Sequence, residues 1–499
     1  MKTAIVLVLL AVSAAWAAFM PAVRVDRETR PAYACYHADI AVGPAGRYGQ
    51  PVYVAFENDS VPFLIERSDI AFQRSTDGGQ TWLENDVVVK RGNRFACYPD
   101  LAVGRDGTIY MVYTDRYNGS IGHIHSTRST DGGMTWSEPV QVDDNPAQYP
   151  IGWAKLALDT AGNLFTSWTD KRGDYLRVYS DVSTDRGATW GTDVRVDDDT
   201  VSFNCYPPDV FVQPGSNDYL VVADAPVRQE EDRIVLHSHF YRSTDMGATF
   251  SPGFQLDTFP DVSRQPHVVA DEDHVITDYT GDGWVNQCVT MARTFFEQGD
   301  SWGPQCMVAE LDTIYSTFTN GSKLAIDPSG DVHIGLMFDS REVQIWGIWY
   351  AYSTDHGITW SEREEVSNLP TVAQWDPNIA VDDNGFAYLV WQDMRNPKAQ
   401  IWFSTNSPTG IVTEHTSRHA TVLLPVPTIV RGVLVWNGQN GDCPSEGGPV
   451  PALLDVSGRK VADLHPGEND LRDLAPGAYF IRSAVDGQRN AVTKVVIAR

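Results

Sequence analysis

Positive charge is scarce in this chain. Lys and Arg number 38 against 65 Asp and Glu, a formal net charge of −27. Such a surface repels nucleic acid and anionic membrane, and offers no long-range attraction to an anionic sugar. Long apolar runs are also missing beyond the first residues. The stretch Ala4–Val12 is too short to cross a bilayer. With Lys2 before it and Ala15-Trp16-Ala17 after it, residues 1–17 have the pattern of a secretory signal. The expectation is an exported, soluble protein with no transmembrane segment, starting at about Ala18 and placed in the medium or at the cell surface. Cysteine is sparse. Cys35, Cys97, Cys205, Cys288, Cys306 and Cys443 show no close Cys/His spacing of a metal site, even with His37 nearby. Export permits disulfides. Cys288 and Cys306 flank a degenerate repeat and are the candidate pair, while a Cys35–Cys97 bridge between neighbouring repeats stays open and Cys205 and Cys443 have no assigned partner. Sustained helical periodicity is absent, which excludes an α-helical or α/β fold.

What is abundant is repetition. Ser-Thr-Asp-x-Gly-x-Thr-Trp occurs at Ser75–Trp82, Ser129–Trp136, Ser183–Trp190 and Ser353–Trp360; Phe closes the copy Ser243–Phe250, and an eroded copy runs Phe295–Trp302. A short apolar strand precedes each of these six copies and a seventh opens a unit without a box; they begin at Asp39, Asp100, Lys155, Asp209, His267, Lys323 and Asn378, at intervals of about 55 residues. Each repeat reads as strand, glycine turn, strand, loop, strand, box and strand, the makeup of one propeller blade. The seventh repeat lacks a fourth strand, and Ala22–Asp26 matches the missing one. The expected architecture is all-β: a seven-bladed β-propeller over residues 18–405 closed by its N-terminal strand, a linker at 406–418, and a small C-terminal β-sandwich at 419–499. Within the boxes, Asp77, Asp131, Asp185, Asp245 and Asp355 are expected to bind turn N–H groups, with the Trp locking the hairpin.

These boxes resemble the Asp-box, or bacterial-neuraminidase-repeat, motif of sialidases and related propellers. The resemblance is specific for fold and weak for activity, because such propellers include enzymes, receptors and assembly factors. The tail segments Leu454–Val461, Leu474–Ile481 and Lys494–Val496 resemble the sorting domain of type IX secretion, with Pro425-Val426-Pro427 in place of that family's Pro-Asn-Pro. This resemblance implies a bacterial outer surface and the type IX machinery as a partner.

The sialidase resemblance implies an arginine cluster for a carboxylate, a Tyr–Glu nucleophile pair and an Asp acid/base, all on the face opposite the boxes. An acidic residue ends each second strand (Glu57, Asp115, Asp170, Asp224, Asp278, Asp339, Asp393), and Arg116, Arg172, Arg341 and Arg395 follow closely. Such regular recurrence favours a structural role, since catalysis needs asymmetry. Aromatics enter the first strands at Tyr36, His37, Tyr98, Tyr149, Tyr206 and Trp375, suited to sugar stacking or to packing between blades. The sequence departs from sialidases where Cys35-Tyr36-His37-Ala38 replaces an aromatic-Arg-Ile-Pro opening; the nearest echo is Ser263-Arg264-Gln265-Pro266. No catalytic residue is assignable. No cofactor is expected, although Asp143-Asp144, Asp197–Asp199 and Asp271–Asp273 have calcium-loop composition. The leading expectation is an exported propeller binding a glycan or protein opposite the boxes; a sialidase-like glycoside hydrolase and a surface assembly role are the alternatives.

Overall fold

The computed structural model describes residues 18–28, 34–46, 49–59, 68–91, 95–118, 121–145, 151–198, 204–205, 207–229, 234–259, 262–282, 288–310, 322–339, 346–367, 372–395 and 398–407, with shorter stretches between 428 and 497. Two compact bodies divide the chain, residues 1–411 and 412–499. No helix among the described residues is long and apolar enough to cross a membrane.

The first body is an all-β propeller built from antiparallel hairpins, but not of seven separate blades. Five four-stranded blades stand as individual sheets. The first two repeats instead share one eight-stranded sheet, because strand Ser68–Ser75 meets strand Phe95–Val103 in a parallel pairing of Ser68 with Phe95. In the last blade Val23 pairs with Phe403 and Arg24 with Trp402, so the N-terminal segment is its outer strand. Second strands such as Leu164–Asp170 and Ala387–Asp393 are buried along their whole length, as expected for strands covered on both faces. Apolar clusters fill the gaps between successive repeats. One of them joins Tyr388, Val390 and Phe403 of the last repeat to Val52, Val54 and Phe56 of the first, closing the ring.

The boxes act between repeats as well as within hairpins. Asp77 Oδ1 accepts Ser75 Oγ–H at 2.7 Å and Thr81 N–H at 2.9 Å, while Gly79 N–H donates to Ser75 Oγ at 2.8 Å. Hydrogen bonds from Thr135 and Thr189 hold Asp131 and Asp185 down to about 2. The Trp rings pack outward onto the preceding repeat: Trp82 lies edge-on to Phe403 at 5.1 Å and Trp136 to Phe72 at 5.3 Å. A Cβ at Gly79 or Gly133 would overlap those same phenylalanines, which is why glycine stands there. An arginine clamp adds to this face. Arg74 donates to Asp131 O at 3.3 Å and Gly132 O at 3.0 Å, Arg128 to Arg186 O at 2.6 Å, and Arg242 to Glu297 at 2.7 Å.

The residue after each box Asp is left-handed. Gly78 and Gly132 fill it freely, but Arg186, Met246 and His356 are held at φ 64°, 60° and 58°. Left-handed geometry costs an L side chain roughly 1–2 kcal/mol, partly offset by glycine's entropy when unfolded. Met246 is 51% exposed, so little packing is lost on its removal. Met246→Gly is expected to raise stability by about 0.5–1 kcal/mol in urea unfolding.

The second body contains a five-stranded sheet. Thr428–Val430 runs parallel to Arg489–Ile497, followed by Gly477–Val485, Ala452–Leu454 and Lys460–Asp463 in antiparallel order. Val433–Trp436 pairs separately with Gly467–Asp470. Pro425-Val426-Pro427 lies outside the described residues.

Cys35, Cys97 and Cys306 are free thiols, so neither the Cys288–Cys306 nor the Cys35–Cys97 bridge forms. The register explains the first: Cys306 opposes Ala292, whereas Cys288 opposes Asp282. Four residues of strand separate Cys288 from Ala292, roughly 13 Å. The side chain of Cys288 and all of Cys443 lie outside the described residues.

Candidate functional site at the channel mouth

First strands carry a bulge at the end away from the boxes. The register slips between Tyr36 and Asp39, Cys97 and Asp100, Gly152 and Lys155, Arg264 and His267, and Trp375 and Asn378. Within each slip one non-glycine residue is left-handed: His37 (φ 45°), Tyr98 (53°), Trp153 (55°), Gln265 (55°) and Asp376 (50°). The slip and its left-handed residue recur in five repeats, so the bulge belongs to the scaffold; what distinguishes one repeat from another is the side chain it presents. The five residues differ in kind. His37, Tyr98 and Trp153, from three consecutive repeats, form an aromatic arc with ring centroids 4.7 Å and 5.4 Å apart. Gln265 and Asp376 make the remainder polar.

The arc is held in place electrostatically. Glu57 Oε1 lies 2.9 Å from His37 Nδ1 and accepts the Tyr98 N–H at 2.6 Å. Burial opposes charge on His37, but Glu57, with Asp376 and Asp59 behind it, outweighs this and raises the imidazole to about 9. His37 nevertheless keeps 39% of its side chain open to water. Arg116 places its guanidinium 5.4 Å from the Tyr98 ring centre and 5.9 Å from that of Trp153, a cation–π backing to the arc. Asp376 accepts a hydrogen bond from Gln392. Burial raises Asp59 to about 6, with the neighbouring Glu57 charge adding to the rise.

Two of the other sequence candidates are held by acids of their own repeats. Arg172 pairs with Asp170 and Asp193 and stacks on Tyr179 at 4.4 Å. Arg395 pairs with Asp393 and stacks on Trp402 at 3.5 Å. Both are bound to the acid two residues earlier, within their own repeat. Arg264 is exposed and its charge acts on Asp224. Tyr36 is half-buried, 6.3 Å from His37. Trp375 is half-buried on the bulge of the seventh repeat, opposite Gln392. Tyr149, Tyr206 and Arg341 lie outside the described residues. The acids ending the second strands act mainly as ties: Asp224 accepts Gln265 N–H at 3.0 Å and Ser238 Oγ–H at 3.1 Å, and Asp278 lies 3.1 Å from His267 Nδ1. The supposed calcium loops serve a similar end. Asp143 accepts Ile124 N–H at 2.7 Å and Asp197 accepts Val178 N–H at 2.8 Å, each tying a fourth strand to the third. Glu57 is one of the acids that the sequence places at the end of a second strand, whereas Trp153 becomes visible only when the repeats are aligned on the first-strand landmark, two residues before Lys155.

Below the arc, the landmark residues line the channel. Lys155 Nζ lies 2.6 Å from Asp100 and Lys323 Nζ 2.7 Å from Asp209, while Asn378 donates to Asp39 at 2.5 Å. The same aspartates accept Leu101, Val268 and Leu156 N–H groups from the next repeat, at 2.6 Å, 3.2 Å and 2.8 Å.

Buried acids give the fold a pH dependence. Burial raises Asp181 and Asp224 to about 7 and Asp86 and Asp193 to about 6, against an ordinary 3.8. The folded chain thus keeps protons that the unfolded chain releases. Their stabilising contribution is complete below about pH 4 and disappears as pH climbs through 6 to 7. Raised His37 acts in the same direction, losing its contribution between about 6.5 and 9. The depressed box aspartates oppose this only below about pH 4. The melting temperature is therefore expected to be higher at pH 5 than at pH 8; calorimetry showing a flat or rising profile over that range would contradict the assignment.

The BNR/Asp-box repeat family matches residues 351–362, the sixth-repeat box. Comparison with curated proteins finds no match. Among solved structures, a protein of unknown function from Dyadobacter fermentans aligns at 14% identity and TM-score 0.49, covering 78% of this chain and 99% of its own. A Hadza microbial sialidase aligns at 14% and 0.45, covering 72% and 76%. An α-L-arabinanase from Penicillium chrysogenum, complexed with arabinobiose, aligns at 15% and 0.45, covering 78% and 98%.

Proposed function

We propose that the chain is an exported carbohydrate-binding propeller whose ligand lies on the channel mouth opposite the boxes. The observation that carries this reading is the His37–Tyr98–Trp153 arc, three rings in contact and each held in a left-handed conformation. Aromatic faces stack on the apolar face of a sugar, and the adjoining Glu57, Arg116, Gln265 and Asp376 supply hydrogen-bond partners for its hydroxyls. A net charge of −27 repels anionic saccharides at long range and so suits neutral sugars better. A glycan array with the purified chain, followed by calorimetric titration of the best saccharide, tests the reading; no saccharide bound, or binding unaffected by changes in the arc, overturns it.

Asp59 favours a second reading, a glycoside hydrolase. A carboxyl raised to about 6 beside Glu57 has the protonation state of a general acid near neutrality. A panel of fluorogenic glycosides, sialosides included, separates the two: turnover abolished in Asp59→Asn supports hydrolysis, and binding without turnover supports the lectin-like role. The signal-like start and the sorting-domain resemblance support action outside the cell, which fractionation of the native host tests directly.

A further inference from the structure

We propose that Asp271, His274 and His356 form a site for one zinc-class divalent cation on the box face, between the fifth and sixth repeats. Asp271 lies in the turn between the first two strands of the fifth repeat, His274 opens the second of those strands, and His356 belongs to the box of the sixth. Their ligand atoms all lie within 4.8 Å of one another. His274 Nδ1 is 3.0 Å from Asp271 Oδ1, His356 Nδ1 is 3.0 Å from Asp271 Oδ2, and the imidazoles stack with centroids 3.9 Å apart. The two contacts are not alike. His274 Nδ1 makes a hydrogen bond to the carboxylate. His356 Nδ1 is a buried atom that makes none among the described residues, despite its short distance to Asp271. This buried ring nitrogen, 3.0 Å from a carboxylate oxygen and without a hydrogen bond, is placed as a ligand atom for a cation that Asp271 would share.

Two imidazoles and one carboxylate select zinc, cobalt or nickel over calcium, which takes oxygen ligands, and leave a fourth position for water. Binding removes the Nδ1 proton of His274 and requires the rings to splay from their 17° interplanar angle. Their partial exposure leaves room for this.

The site also falls at one of the seams that carry no arginine clamp. Arg74, Arg128 and Arg242 clamp a repeat to the next repeat's box. In the fifth repeat that role falls to Thr294, whose hydroxyl reaches His356 O at 2.6 Å. A metal bridge from the Asp271 turn to His356 would fasten the same seam.

The test is titration of the metal-stripped full chain with Zn²⁺, alongside Co²⁺ absorption spectra and thermal melts. The informative variant is His356→Gly, because glycine occupies the matching left-handed place at Gly78 and Gly132 (φ 74° in both). One Zn²⁺ per chain, a raised melting temperature, no comparable effect of Ca²⁺, and affinity at least roughly 100-fold lower in His356→Gly are expected. His274→Gln should lose the metal likewise. Metal-free His356→Gly should melt no lower than the parent, so loss of binding cannot be put down to misfolding. No Zn²⁺ binding by the parent, or equal binding by parent and both variants, overturns the proposal.

Discussion

Trp153→Ala is expected to weaken saccharide binding by about tenfold to a hundredfold, while leaving the melting temperature close to that of the parent. The size follows from what the indole supplies. It ends the arc, meeting Tyr98 at 5.4 Å and lying beneath Arg116 at 5.9 Å. Its removal takes away one stacking face and frees the guanidinium that backs the second. The small stability change follows from its surroundings: Trp153 is half-buried in a strained conformation, unlike Trp168 and Trp391, which are fully buried. Tyr98→Ala should cost as much or more, because Tyr98 touches both His37 and Trp153. Calorimetric titration with the array-selected saccharide measures both variants. A loss of less than twofold in each would remove the arc from the binding surface and leave the arginine-bearing rim as the place to look.

The scaffold was legible because it repeats. Five near-identical boxes and seven spaced strands announce a propeller, and the box hydrogen bonds around Asp77 are those its Ser, Gly and Thr imply. The blade count was not legible. Sequence periodicity counts repeats, whereas sheets are counted by hydrogen bonds, and the Ser68–Phe95 pairing merges two repeats into one sheet. The target of the box tryptophans was hidden for a similar reason: nothing local to Trp82 says that its ring meets Phe403, more than 300 residues away. The disulfide failed on register, since proximity to one degenerate box does not place Cys288 opposite Cys306. At the mouth, the sequence showed which loops carried aromatics and arginines but not their directions. Arg172 and Arg395 each fold back onto the acid two residues earlier, a choice that burial of those acids enforces. Trp153 is not legible from sequence, because a lone Trp before an apolar strand looks like core until the bulge is known.

Lys155→Met should be the most damaging single change in the channel. The ammonium lies 2.6 Å from Asp100, and the charges of Asp39 and Asp209 also act on it, raising it further above the usual lysine range against the cost of burial. Burial already pushes Asp39 upward, and Asp100 adds to that push while Lys155 restrains it. With the cation gone, two neighbouring acids face one another in a confined channel, yet both must stay in place because their oxygens hold Leu101 N–H and Leu156 N–H of the next repeats. Breaking a buried pair from one side costs about 3–5 kcal/mol, and the 26% exposure of Lys155 brings this to about 2–4. The loss should depend on pH. Burial raises Asp39 to about 7, so the penalty is full at pH 8, and toward pH 5 Asp39 takes up a proton and part of the stability returns. Asp100→Asn in the same chain should recover much of the remainder, since the amide oxygen still accepts the Leu156 N–H without charge. Urea unfolding of the two single variants and the double at pH 5 and 8 completes the cycle. If Lys155→Met proves neutral at pH 8, the ring of landmark residues is a solvated lining and the inter-repeat N–H contacts alone hold the channel together.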